Sequence, residues 1–294
     1  VTGIEHDHVD IYPDEASYVA QFATLAQRVP ASGLIVCDAS QHLAARTLQE
    51  HARARLVFYA LEGDDTGDIT PTWLAARAPI DMGGMQPFDL FVGGMSCGRF
   101  AMPTVGTHNV RNAVAATCAC AEGFGVTTAR ARTALATFEG VRRRQDRLGS
   151  PRGIDVYDDF AHHPTAVAET LAALRDKHRA KGRAEGTTGR FWAVFEPRSA
   201  TACRAIHQRA YATAFDAADR VLLAPLGRSN VPAEERLDLA LLARQIGEKA
   251  EAVPSIDVVL ERLVAEARPG DAIALLSNGA FGGLPTRLLA RLAA

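Results

Sequence analysis

The sequence predicts a two-part α/β protein whose second part is a mostly parallel sheet with helices on both faces. Three observations predict it. The 294 residues suit about two domains. Beyond residue 153, short apolar runs alternate with stretches of helical periodicity, the pattern of βαβ units. Residues 148–153 (LGSPRG) form a turn-rich cluster after an arginine run, which is the best place to divide the chain. The expected domains are therefore residues 1–148 and 149–294.

In the first part, residues 15–29 carry Val19, Phe22, Leu25 and Val29 at helical spacing. Residues 33–37 read as a short buried strand, 41–52 as a helix and 55–59 as the next strand. Residues 64–84, rich in Asp, Gly and Pro, read as loop with weak strands. Residues 88–92 and 97–102 flank Gly93-Gly94 and read as a hairpin. Helices follow over 110–122 and 128–138, with Gly123 and Gly125 between them. In the second part, strands are expected at 154–157, 191–195, 220–223 and 272–276. Helices are expected at 165–178, 201–215, 237–247, 255–267 and 284–292. The polar residues 177–189 read as a mobile insertion. In a sheet of this kind the ligand site lies beyond the carboxyl ends of the strands.

Composition removes several classes. The 32 Lys+Arg against 34 Asp+Glu give a net charge of −2, with no basic excess for nucleic acid. No apolar run reaches the roughly 18 residues of a membrane span, and a cytoplasmic protein is expected. Five scattered cysteines without CxxC or zinc spacing read as small core residues of a reducing compartment. Only Lys177, Lys181 and Lys249 are lysines, and none lies in a GxxxxGK[ST] phosphate loop. No GxGxxG follows a strand, which argues against a dinucleotide oxidoreductase.

Several polar segments could carry chemistry. Glu5-His6-Asp7-His8-Val9-Asp10 could bind a divalent cation, or merely cap a helix. In Gly106-Thr-His108-Asn109-Val-Arg-Asn112 the two Asn lie at i, i+3 on one helix face. Their carboxamides match the donor and acceptor of an adenine edge, or serve as a helix cap. Arg142-Arg143-Arg144 offers guanidinium forks for phosphate oxygens, or is a solvated charge run. Asp158-Asp159-Phe160-Ala161-His162-His163-Pro164-Thr165 lies between a strand and a helix. Glu196-Pro-Arg198-Ser199 and Ser277-Asn278-Gly279 follow later strands. An Asp at a strand end can take ribose hydroxyls, and His162 could meet a carboxylate or an amine.

Taken in order, these segments resemble the Mur ligase family, ATP-dependent amide-forming enzymes of peptidoglycan metabolism. The resemblance covers essentially the whole chain but only part of a family enzyme. It implies the rear of a central ATP-binding domain, its phosphate loop missing, followed by a complete Rossmann-like C-terminal domain. The isolated chain is accordingly expected to be inactive. The segments EPRS, DDFAHH and SNGAFGG resemble the branch serving peptidoglycan recycling. That branch joins UDP-N-acetylmuramate to the tripeptide L-Ala-γ-D-Glu-meso-diaminopimelate through an acyl phosphate, with ATP and Mg²⁺. The alternatives are the branch that takes free L-alanine, or a non-catalytic nucleotide- or peptide-binding module. By this resemblance His8 is a Mg²⁺ ligand, and Asn109 and Asn112 read adenine with His108 beside them. Arg143 or Arg144 contacts the γ-phosphate, and Asp159 is a ribose or hinge carboxylate. His162, His163, Arg198, Ser199, Asn278 and Gly279 face the peptide.

Overall fold

The computed structural model describes residues 1–294, which form two compact units, Val1–Glu139 and Gly140–Ala294. The first contains α1 (Glu15–Arg28), β1 (Leu34–Asp38), α2 (His42–His51), β2 (Arg55–Leu61), β3 (Trp73–Arg77), β4 (Gln86–Val92), β5 (Met95–Met102), α3 (Thr107–Phe124) and α4 (Thr128–Ala136). Its sheet runs β1-β2-β3-β4-β5. The first three strands are parallel, and β4 and β5 join antiparallel.

Local chemistry sets these boundaries. Asp14 accepts the Ser17 N–H while Ser17 Oγ lies within reach of the Asp14 N–H, a capping box that starts α1. Gly93 and Gly94 both have positive φ, which the two-residue hairpin turn between β4 and β5 demands. Phe88, Phe100 and Met102 of the hairpin pack with Val110, Val114 and Cys118 of α3. A second cluster holds Ala26, Ile35, Cys37, Ala44 and Leu48. Burial pushes the Cys37 thiol up to about 11 and that of Cys118 to about 12, so both stay protonated and act as small apolar residues.

The expected loop with weak strands at 64–84 resolves into one short strand. The region 64–84 contains β3, which pairs with β2 on one side and β4 on the other. Trp-Leu-Ala-Ala-Arg has little intrinsic strand preference, so tertiary pairing overrides propensity. Trp73 is buried and its Nε1–H donates to Glu122 at 3.0 Å.

The second unit contains β6 (Asp146–Gly149), β7 (Asp155–Asp159), α5 (Pro164–Glu185), β8 (Phe191–Phe195), α6 (Gln208–Ala214), β9 (Arg220–Leu223), α7 (Leu239–Ile246), β10 (Ala250–Ala252), α8 (Ile256–Glu266), β11 (Ala272–Leu276) and α9 (Leu284–Ala293). The strand order is β10-β9-β8-β11-β7-β6. All pairs are parallel except β6 with β7. Apolar clusters around Phe195, Leu171 and Tyr211, and around Trp192, Ile273 and Leu288, hold the helices to the sheet.

The break between units falls ahead of the turn cluster 148–153, because β6 is already hydrogen-bonded to β7. The expected mobile insertion 177–189 is instead mostly helix. α5 continues to Glu185 and ends on Gly186 in the left-handed region. His178 and Ala180 are buried on it, and Lys181 Nζ bonds Asp155 at 2.6 Å. Its polar composition concealed this because Lys stems can cover apolar surface while their charge finds a partner. The expected helix 201–215 begins late, since Cys203 N–H and Sγ–H turn back onto Ser199 O and Pro197 O.

Candidate functional site

β7, β8 and β11 lie side by side and end level, at Asp159, Phe195 and Leu276. Beyond them the Ser277 N–H donates to Asp159 O at 3.1 Å and the Glu196 N–H to Leu276 O at 3.0 Å. Three segments distant in sequence thus form one polar patch, at the strand ends where an open α/β sheet binds ligands.

Within the patch, Ser277 Oγ–H donates to Glu196 Oε2 at 2.5 Å and accepts the Gly279 N–H at 3.0 Å. Both Glu196 and Ser277 are buried. Arg143 secures the same loop. Its Nη2 donates to the carbonyls of Ser277 (2.6 Å) and Gly279 (2.7 Å), and its Nε to Asp158 Oδ2 (3.0 Å). Its guanidinium also lies 5.3 Å from the Phe160 ring centre. Through Nε and Nη2, Arg143 thus anchors the 277–279 loop to β7. Burial raises the Asp158 pKa above the usual carboxylate value, against the opposing pull of Arg143.

Asp159 also turns inward. It is 2% exposed, and accepts the N–H of Gln145 at 2.7 Å, that of Ala161 at 2.8 Å and Thr170 Oγ–H at 3.4 Å. Burial raises its pKa, with those hydrogen bonds opposing. So enclosed, the carboxylate pins the segment around Gln145 to the end of β7. That segment is strained, since Arg143 (φ 60°) and Gln145 (φ 53°) are non-glycine residues in the left-handed region. Arg144 is different. It is exposed, its guanidinium lies 5.3 Å from the Phe160 ring centre, and its charge acts on the Asp159 carboxyl.

Around the patch, His162 is half-buried, its Nδ1 3.0 Å from Phe160 O and its ring edge-on to Phe160. His163 is the residue before the first turn of α5 and packs against His207, ring centres 4.7 Å apart. Ser199 Oγ accepts the Ala202 N–H at 2.9 Å, starting a turn. Arg198 is half-exposed, with Nη1 3.7 Å from Glu196 Oε1. The Asn278 Oδ1 is buried without a hydrogen-bond partner, an arrangement that costs free energy until something donates to it.

In the first unit, Gly106 caps α3, so neither Asn is the cap. Asn109 Nδ2 donates to Val105 O at 2.8 Å, and Asn112 is exposed. His108 lies half-buried beside them. Between the two Asn, Arg111 makes a contact that the motif did not announce. Nη1 reaches Asp38 Oδ2 (2.9 Å) and Asp64 Oδ2 (2.7 Å), Nη2 reaches Asp64 Oδ1 (2.6 Å), and Ser40 Oγ lies at 3.2 Å. This pairing ties the start of α3 to the ends of β1 and β2. An Asp closing each strand region was the available signal, but its partner is remote in sequence.

His8 is exposed at φ 55°, its N–H bonded to Asp7 Oδ1 and its carbonyl closing a turn to Ile11 and Tyr12. No group of three or more His, Cys, Asp or Glu side chains gathers to hold a metal ion. The opening cluster therefore offers no preassembled set of three, and His8 stands as a single exposed candidate ligand.

Residues 1–120 match the Mur ligase middle domain, and residues 143–279 the Mur ligase glutamate ligase domain. With most of its length matched, the chain belongs to the Mur ligase family. It is 34% identical, over 99% of its length, to the UDP-N-acetylmuramate–L-alanyl-γ-D-glutamyl-meso-2,6-diaminoheptandioate ligase of Haemophilus influenzae. It is 31% identical to the UDP-N-acetylmuramate–L-alanine ligase of Koribacter versatilis. A murein peptide ligase from Psychrobacter arcticus superposes with a TM-score of 0.62 at 28% identity, covering 98% of this chain and 56% of that one. The chain spans 59% of the Haemophilus protein and 61% of the Koribacter protein.

Proposed function

We propose that the chain supplies part of the ATP-binding domain and the acceptor-binding domain of a cytoplasmic ligase that joins UDP-N-acetylmuramate to L-Ala-γ-D-Glu-meso-diaminopimelate. The observation that carries this reading is the pairing of a half-exposed Arg198 fork with the unsatisfied Asn278 Oδ1 at the joined strand ends. A fork accepts a carboxylate bidentately, and a buried carbonyl oxygen awaits an N–H donor. A tripeptide ending in diaminopimelate offers several carboxylates and amines, whereas free L-alanine offers one of each. No helix is long and apolar enough to cross a membrane.

In the reaction, a carboxylate oxygen of UDP-N-acetylmuramate attacks the γ-phosphorus of ATP and ADP leaves. The peptide's amine then attacks the acyl carbon of the acyl phosphate. The C–N bond forms, inorganic phosphate leaves and the nitrogen loses a proton. Catalysis of this kind rests on positioning and on charge stabilisation. Asn109 and Asn112 are assigned to the adenine, with His108 beside it. Arg144, the outward member of the pair around Phe160, is assigned to a phosphate oxygen. His162, His163, Arg198, Ser199, Asn278 and Gly279 are assigned to the peptide. Mg²⁺ accompanies ATP as its counter-ion.

The test is amide formation from ATP and UDP-N-acetylmuramate by the gene product that carries this chain, offered the tripeptide or free L-alanine. Preference for the tripeptide supports the proposal. Preference for L-alanine moves the assignment to the other branch. Nucleotide or peptide binding without turnover supports a binding module.

A further inference from the structure

The side chain of Arg198 runs through a slot between two glycines on different loops. A Cβ added at Gly279 would lie 2.0 Å from Arg198 Cδ and 2.2 Å from Nε. One added at Gly227 would lie 2.8 Å from Cγ, 3.0 Å from Cβ and 3.3 Å from Glu196 Oε1. Neither glycine has a positive φ, so backbone conformation does not call for glycine at either place. What the missing side chains provide is room for the arginine stem.

Both walls are tied to the Glu196-Pro197 segment, through separate hydrogen bonds. Gly279 N–H is fixed by Ser277 Oγ, which is fixed by Glu196 Oε2. Gly227, in the loop after β9, donates its N–H to Pro197 O at 2.7 Å, directly beside the residue that it confines. The other oxygen of Glu196 lies 3.7 Å from Arg198 Nη1, beyond a good hydrogen bond. The stem is therefore held by packing while the guanidinium keeps donors for an incoming anion.

We infer that Gly227 is a positioning residue, its empty Cβ site being one wall of the slot that aims Arg198 at a carboxylate of the acceptor peptide. The carboxylate part rests on the function proposed above; the slot itself does not. A Cβ at Gly227 meets the root of the arginine, not its flexible tip. Arg198 must then leave its rotamer, and its fork loses direction although its charge remains.

The experiment uses four versions of the 294-residue chain: wild type, Gly227→Ala, Arg198→Ala and the double variant. Thermal unfolding tests the slot without any ligand. Gly227→Ala is expected to lower Tm, and adding Arg198→Ala to restore most of the loss, because truncation vacates the contested space. A Gly227→Ala loss that is as large in the Arg198→Ala background as in the wild-type background overturns the slot, and so does failure of both Gly227→Ala variants to fold. Binding of L-Ala-γ-D-Glu-meso-diaminopimelate, followed by the side-chain ¹⁵Nε resonance of arginine and backbone amide shifts, tests the aim. Each single variant should weaken binding about 10-fold or more, and the double variant no more than Arg198→Ala alone, as expected of two sites acting through one interaction. Additive losses overturn the positioning role. Tripeptide affinity unchanged in Arg198→Ala, with the Tm rescue intact, overturns the acceptor assignment and leaves the slot standing.

Discussion

Arg143 and Arg144 are neighbours in an arginine run, and the structure makes opposite predictions for them. Arg143→Ala removes a charge-assisted bond to Asp158 and two bonds to the carbonyls of Ser277 and Gly279. It leaves a carboxylate whose side chain is only 12% exposed without its cation. Breaking a buried pair costs about 3–5 kcal/mol. The Arg143 side chain is itself 30% exposed, so water recovers part of that, and about 3 kcal/mol is expected. For a unit of this size that is a drop of about 6–12 °C in Tm. Arg144→Ala forfeits an exposed contact with Phe160 and a screened attraction to Asp159, about 1 kcal/mol or less. Each unit has one tryptophan, Trp73 or Trp192, so a Trp73→Phe background lets Trp192 report on the second unit alone. Urea unfolding of the two variants in that background gives the comparison. Equal losses, or no loss from Arg143→Ala, would refute the anchoring role.

Further outcomes follow from the same contacts. Arg111→Ala should destabilise the first unit by about 3 kcal/mol or more, read through Trp73 fluorescence, because Asp38 is fully buried and loses its cation; an unchanged midpoint would mean that water replaces the arginine. Asn278→Ala should leave stability unchanged or raised, since it removes a buried acceptor without a donor, while weakening acceptor use in the complete ligase; a clear loss of stability would contradict this. Asp159 has its folded pKa raised above the ordinary value of 3.8, so the native state binds more protons than the unfolded state between 3.8 and that raised value. Its contribution to stability therefore grows as pH falls through this window, and Asp159→Asn should flatten the change in urea midpoint there; an identical pH profile would show that Asp159 does not titrate. Arg144→Ala in the complete ligase should lower kcat more than it raises KM for the peptide, about 10²-fold or more, as for one preorganised donor; unchanged kcat would make it a solvated charge.

Most of the elements were legible because their signals are local. Four of the six strands of the second unit follow from short apolar runs, and three of these, Phe191–Phe195, Arg220–Leu223 and Ala272–Leu276, have the bounds expected, whereas β6 and β10 went unread. Gly93-Gly94 announces its turn through a conformational freedom that other residues lack. The polar motifs, too, were visible as motifs, and the alternation of strands and helices placed three of them at the strand ends. The weak strand expected within 64–84 could not be placed, because Trp-Leu-Ala-Ala-Arg becomes a strand only between two partners. Nor were the roles within the motifs. Arg143 and Arg144 have the same side chain and adjoining positions, yet one grips carbonyls more than a hundred residues away and the other faces solvent. Asp159 looked outward as a strand-end carboxylate until folding set the Gln145 and Ala161 amides against it. A residue's type states what it can bond. Which bonds form is decided by non-local neighbours, and only the tertiary structure supplies those.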